Sequence, residues 1–356
     1  MTVVQATLSR YLNECRCAVL DELQTMLPAD SPRTGGLYKL MLEYPLRAGK
    51  ALRPALSIAI CRARGGCLSA VLPTAAVLEL YHNAFLIHDD VEDQSDMRRS
   101  EPTLFRKYGT PIAVNVGDGM LALAIQPLLD NIERVGLGRA LKILHIVSRM
   151  ARETAEGQMI ELDWVKSANW IHGNADYVRL VYKKSAWYTF IAPIMAGAAA
   201  AGLSDNEVRQ LGRITIPLGI AFQIQDDILN ISSSQDSYGK DFCGDLWEGK
   251  HTLILIHALR CATSAERSKI LAILRKPQPA SIAQSATSVD TKSEGEVIFL
   301  RDVIERRGSI SYAAKIAQRY ANRFQRDLRR SAQSWSPSIH KKFLFDLADF
   351  TVNRTT

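Results

Sequence analysis

HDDVEDQSDMRR, His88 to Arg99, follows directly on an apolar run, AAVLELYHNAFLI, residues 75–87. Asp89, Asp90, Glu92, Asp93 and Asp96 crowd five carboxylates into eight residues, and Arg98 and Arg99 close the stretch. An acidic cluster at the end of a buried helix is costly unless something neutralises it. Asp89 and Asp93 are four residues apart and so share one helical face. Hard oxygen donors in that arrangement suit Mg2+, which keeps several waters and is completed by phosphate oxygens. The trailing arginines suit the phosphate. A solvated acidic helix end is the plain alternative.

A second stretch repeats the layout. FQIQDDILN, Phe222 to Asn230, ends another apolar run with Asp226 and Asp227, and cations follow: Lys240 in YGKD and Lys250 in GDLWEGKHT, which also carries Asp245. Two acidic helix ends, each followed by basic groups, predict two walls facing one diphosphate. Lys50 and Arg53 sit in GKALRP, and Lys183 and Lys184 lie among aromatics in VYKKSAWYT. A lysine in such a run either snorkels to water or meets an anion. Gln158 and Glu161, three apart in EGQMIELDW, either form an exposed polar face or reach into the same cavity.

Working outward, helical periodicity dominates. Val4, Leu8, Tyr11, Leu12, Cys15, Val19, Leu23 and Met26 fall near one face of residues 3–27. Further helices are expected over 56–64, from Pro73 into the acidic cluster, 113–125, 139–160, 177–200 with an interruption near Pro193, 205–230 with a kink at Pro217, and 251–261. A last helical pair starts at Gly308 and closes with 343–352. KPQPASIAQSATSVDTKSEGE, residues 276–296, reads as a flexible loop. No run of alternating strands and no solenoid period is present. The expectation is all-α: one domain over residues 1–356, about ten to twelve helices, packed as a bundle around a deep central cavity.

A net charge of +7 fits nucleic acid, a membrane surface or small anionic substrates. Without a dense Lys/Arg run interleaved with aromatics, nucleic acid is the weaker of the three. The six cysteines form no CxxC pair and no zinc spacing, which reads as reduced, mostly buried thiols of a cytoplasmic protein. TFIAPIMAGAAAAGL, Thr189 to Leu203, is too short to span a bilayer, so no transmembrane segment is expected.

Taken together, GKALRP, HDDVED with its MRR, GQMIE, KKSA, FQIQDD and GKDFCGDLWEGK resemble the trans-isoprenyl diphosphate synthase family, the farnesyl/geranylgeranyl diphosphate synthases or polyprenyl synthetases. They keep the family's order from about residue 44 to 255, and the final LADFTVNR resembles the bacterial-type ending. The resemblance implies the isoprenoid synthase fold, a homodimer, and three Mg2+ ions. Asp89 and Asp93 would bind metal from one wall and Asp226 from the other, with Asp90 and Asp227 in support. Arg98, Lys184, Ser185, Gln223, Lys240 and Lys250 would hold the allylic diphosphate; Lys50, Arg53, His82 and Arg99 would hold isopentenyl diphosphate. The diphosphate leaves, the C3–C4 double bond of isopentenyl diphosphate attacks the allylic cation, and a proton departs to the released diphosphate. Asn230 replaces the usual last aspartate of the second motif, and Glu161 stands where aspartate is more usual.

Ala84 and Phe85 precede Asp89 by about one helical turn, roughly 6–7.5 Å deeper. A single aromatic there implies a C20 product, geranylgeranyl diphosphate, with C15 as the alternative. A class I terpene cyclase would have no use for Lys50, Arg53 and Arg99, and a non-catalytic regulatory subunit would have lost an acidic motif.

Overall fold

The computed structural model describes residues 3–232, 243–277 and 290–353. Lys240 and most of the 276–296 stretch, residues 278–289, lie outside the described residues. The chain opens with α1 (Val3–Met26), α2 (Leu37–Leu46), α3 (Leu52–Ala63) and α4 (Leu68–Glu92). A two-residue antiparallel ladder follows, β1 (Met97–Arg98) and β2 (Glu101–Pro102). Next come α5 (Leu104–Tyr108), α6 (Thr110–Leu123), α7 (Ile125–Val135), α8 (Leu137–Ser167) and α9 (Asn174–Val181). A π-helical segment, Tyr182–Ile191, leads into α10 (Ala192–Ala200) and α11 (Asp205–Ser232). The rest is α12 (Gly244–Glu248), α13 (Leu253–Cys261), α14 (Ser264–Leu274), α15 (Glu294–Arg306), α16 (Ser309–Ser331) and α17 (Ile339–Asn353).

The all-α expectation holds, with more and shorter helices than expected and one small hairpin. The hairpin carries Arg98, and Arg99 follows at φ +55°. Helix α4 starts five residues before Pro73, and α11 runs unbroken through Pro217. The 276–296 stretch is not all loop: Ser293 caps α15 by accepting from Glu296 N, so Glu294 to Glu296 are helical. Of the six thiols, all free, Cys17, Cys67 and Cys261 are exposed, so burial applies to only half.

Two apolar clusters organise the packing. One joins α1, α3, α4 and α10 around residues such as Leu56, Leu78, Ile87 and Phe190. The other joins the later part of α11 to α13, α15 and α16 through Ile224, Ile231, Ile254 and Val303. Each fully buried aliphatic side chain contributes about 1.5–3 kcal/mol. The two long helices α4 and α11 are the ones that end in the acidic motifs, so packing of their apolar lengths sets where the carboxylates stand. Two stretches are long and apolar enough to cross a membrane. Leu68–Glu92 is mostly buried and is core; Thr110–Val135 is mostly not, and turns Ile112, Val114, Ile125, Leu129 and Ile132 outward.

The expected break near Pro193 does not occur. Proline cannot donate to the preceding turn, and here the helix widens into the π segment just before it instead of stopping. Two glycines admit the wider turn. A Cβ on Gly157 of α8 would lie 2.3 Å from Lys184 N and 2.6 Å from its Cα; one on Gly219 of α11 would lie 2.5 Å from Ala186 Cβ. Backbone is in the way at Gly157, so Gly157→Ala forces the π segment, and Lys184 with it, off its seat. The expected cost is about 1–3 kcal/mol, read as a lowered thermal midpoint together with a loss of activity.

Candidate active site

The carboxyl ends of α4 and α11 meet across a cavity of about 430 Å3, within the usual range for small-molecule sites. Its wall takes His82, Leu86 and Asp89 from α4, Arg53 from α3, Glu161 from α8 and Tyr177 from α9. Lys184, Ser185 and Tyr188 enter from the π segment, and Phe222, Gln223, Asp226, Asp227 and Asn230 from α11. Arg98, Arg99, Asp245, Lys250, His251 and Thr252 complete it.

Three different environments serve the first acidic motif. Asp89 lies 3.5 Å from Lys184 Nζ and 3.4 Å from Gln158 Nε2. Asp90 is buried at 1% exposure, accepts from Tyr44 OH at 2.6 Å and from Arg98 Nε at 2.8 Å, and also pairs with the other end of that guanidinium. Burial raises the Asp90 pKa against the pull of Arg98. Asp93 accepts from Lys250 Nζ at 2.7 Å; burial raises its pKa too, with Lys250 opposing. Burial works against charge on Lys184 and Lys250 as well, yet Glu161 and Asp89 around the first, and Asp93 and Glu248 around the second, hold both pKa values above the ordinary lysine range. Each cation therefore stays charged in the cavity wall.

The second motif is built on a relay. Ser185 Oγ donates to Gln223 Oε1 at 2.7 Å, Gln223 Nε2 to Asp227 Oδ1 at 3.0 Å, and Tyr177 OH to Asp227 Oδ2 at 2.6 Å. Burial and the neighbouring Asp245 raise the Asp227 pKa well above the carboxylate range. Both oxygens of Asp227 are thus engaged, while Asp226 faces the cavity. Asn230 accepts from Asp245 N at 3.1 Å, which seats α12 against α11. The aspartate-to-asparagine departure thus leaves this acceptor role filled.

A third patch lies on the same wall. Arg53 donates to Thr189 Oγ1 at 2.8 Å and stands 4.2 Å over the Tyr188 ring. His82, buried beside it, is held neutral by burial and by Arg53 and Arg99, and its Nδ1 has no hydrogen-bond partner. Arg99 donates to Tyr44 O at 2.8 Å.

Of the residues singled out from sequence, the structure does not bring Lys50 to this cavity. Lys50 is exposed, with Nζ 5.4 Å from the Phe350 ring centroid at the far end of the chain. Ala84 is fully buried and Phe85 half-buried; neither lines the cavity. Phe85 meets it through Tyr188, with ring centroids 5.8 Å apart. Tyr44, Tyr177, Tyr188, Phe222 and Glu248 were not foreseen. Glu161, foreseen as an open choice, pairs with Lys184 and faces the cavity.

A family model described as polyprenyl synthetase matches residues 36–289. The chain belongs to the polyprenyl synthetase family. It is a prenyltransferase with the all-α isoprenoid synthase fold. It is similar to geranylgeranyl diphosphate synthase of Methanosarcina mazei, 31% identical over 95% of this chain and 94% of that protein. Among solved structures it is similar to a geranylgeranyl pyrophosphate synthetase of Pyrococcus horikoshii, with TM-score 0.82 and 26% identity, covering 98% of this chain and 99% of that one. A polyprenyl synthase of Caulobacter crescentus, complexed with calcium and isoprenyl diphosphate, superposes with TM-score 0.83 at 26% identity, covering 99% of this chain and 98% of that one.

Glu248 provides a pH test. Burial, with Asp93 adding to it and Lys250 opposing, raises its pKa from 4.5 to about 8. Folding then favours its protonated form, so its contribution is complete below pH 4.5 and is lost as pH rises towards 8. Glu248→Gln is expected to flatten the fall in stability across that window, measured by urea unfolding of the metal-free protein at a series of pH values.

Proposed function

We propose that the chain condenses isopentenyl diphosphate with C5 to C15 allylic diphosphates and releases geranylgeranyl diphosphate, with farnesyl diphosphate as the second reading. The observation that carries the proposal is one cavity with two kinds of anion seat. Asp89 of α4 and Asp226 of α11 line it together, Lys184 and Lys250 pair with Asp89 and Asp93 of the first motif, and Arg53, His82 and Arg99 add a second group of basic side chains to its wall. A cyclase, which ionises one diphosphate, would need only the first seat.

The donor set fits Mg2+. Asp89, Asp93 and Asp226 are hard oxygen donors on opposing helix ends, two of them already drawing cations. Among the described residues no three His, Cys, Asp or Glu side chains form a ready cage, as expected where phosphate oxygens finish the coordination. Asp89, Asp93 and Asp226 would hold the three ions of the resemblance, and bound Mg2+ would neutralise the leaving diphosphate. Arg98 with Asp90, and Asp227 with Tyr177 and Gln223, fix the walls rather than bind metal themselves. Lys184, Lys250, Ser185 and Gln223 hold the allylic diphosphate, and Lys240 is assigned there by resemblance alone. The allylic C–O bond breaks in a pocket where Tyr188 and Phe222 present aromatic rings to the cation. Isopentenyl diphosphate, seated on Arg53, Arg99 and neutral His82, adds through its double bond, and a proton passes to the released diphosphate. Lys50 would serve the isopentenyl seat only after swinging away from Phe350.

We also read residues 1–356 as one domain, because α11 and α16 each contribute side chains to both apolar clusters. The outward apolar face of α6 and α7 supports a homodimer. The free thiols support a cytoplasmic setting.

Incubation with Mg2+, isopentenyl diphosphate and each of the C5, C10 and C15 primers is expected to yield a C20 diphosphate and no hydrocarbon. Hydrocarbon release, or turnover only with an added partner chain, would reject the reading. Phe85→Ala is expected to lengthen the product by letting Tyr188 tilt into the vacated space; unchanged product length on chromatography rejects Phe85 as the floor. Leu129→Asp with Ile132→Asp is expected to convert the dimer to a monomer, read by light scattering.

A further inference from the structure

Helix α16 carries six cations, Lys315, Arg319, Arg323, Arg326, Arg329 and Arg330, against one acid, Asp327. That surplus of five on one helix compares with +7 for the whole chain. All six cations are exposed. The opposite face, Ala313, Ala317, Ala321, Phe324 and Leu328, is buried, and the helix packs on α11, α13, α15 and α17. Lys315, Arg319, Arg323, Arg326 and Arg330 are spaced by four, four, three and four residues, so they form one straight stripe roughly 22 Å long.

Arg213 of α11 joins the stripe. With Arg323 and Arg330 it lines a shallow groove of about 360 Å3 whose one acid is Asp327. Asp327 is already engaged, lying 3.8 Å from Arg323 Nε and 3.4 Å from Arg326 Nε. A face kept charged for solubility mixes signs. The outer face of α8 does so: Arg152 is met by Glu156, four residues on and also exposed, at 3.8 Å. On α16 the six cations share a single acid.

We propose that the exposed face of α16, with Arg213, docks the protein on an anionic phospholipid bilayer. A straight stripe of five cations beside an arginine-lined groove matches a plane of phosphate headgroups, towards which clustered Lys and Arg are drawn. Nucleic acid is the poorer match, because the exposed face offers no ring for base stacking; Tyr312 and Tyr320 are half-buried. Docking rests on the function proposed above only for its use: an anion with a long isoprenoid tail partitions into a bilayer, where the next enzyme meets it.

The test is co-sedimentation of the full chain with vesicles of phosphatidylcholine, with and without phosphatidylserine. The protein is expected on the serine-containing vesicles alone and released at about 0.5 M salt. Arg319→Gln, Arg323→Gln, Arg326→Gln and Arg330→Gln together are expected to weaken binding about tenfold or more, with the thermal midpoint and prenyl transfer from soluble substrates unchanged. Should that variant unfold, Arg319→Gln with Arg326→Gln reads the same effect at smaller size. Binding to neutral vesicles as strong as to charged ones, undiminished binding by the variants, or release of the wild type from vesicles by an RNA oligonucleotide overturns the proposal. Vesicle binding without prenyl transfer from any primer would overturn the function reading and leave the docking intact.

Discussion

Carboxylates gathered at the ends of two buried helices repel one another and lose hydration, and the rest of the site is arranged around that cost. The remedy differs by residue. Asp90 and Asp227 are satisfied inside the protein, by Tyr44 with Arg98 and by Tyr177 with Gln223. Asp89 and Asp93 instead draw Lys184 and Lys250, lysines whose charge burial opposes and the surrounding acids restore. Cations that stay charged only because acids surround them are poised to exchange partners when a diphosphate arrives.

That arrangement depends on the π segment. Lys184 and Ser185 sit on its first turns, and Tyr188, which carries Arg53 on its face, sits one turn later. One widened helix therefore supplies a cation beside Asp89, a hydroxyl to the Gln223 relay and a ring beneath Arg53, all on one cavity wall. Gly157 and Gly219 hold it from both flanks. Widened turns are frequent at functional sites, and here the widening sets the relative heights of three cavity residues.

Much of the fold was legible because apolar positions recur at helical spacing, and α4 and α11 carry their acidic motifs in their last turns. The shorter helices α14 and α15 have too few apolar repeats to stand out by periodicity, but their caps are local signals: Thr263 and Glu266 open α14, and Ser293 and Glu296 open α15, each as a capping box. The π segment was not legible, since local spacing does not reveal how a helix accommodates Pro193. Nor were Tyr44 and Tyr177, which lie 46 and 50 residues from the aspartates they serve.

Sequence alone determined the chemistry: two acidic helix ends, the basic residues that follow them, and the order of motifs that marks the family. Those are local properties, set by side-chain type and by spacing of three or four residues. Tertiary structure decided which carboxylates line the cavity, that Lys50 rests on Phe350 and not in the cavity, and that Phe85 meets the wall through Tyr188. It also decided that six exposed cations of α16 lie along a face whose one acid on that helix is Asp327. Each of these depends on which distant side chain is packed alongside, and no spacing along the chain encodes that.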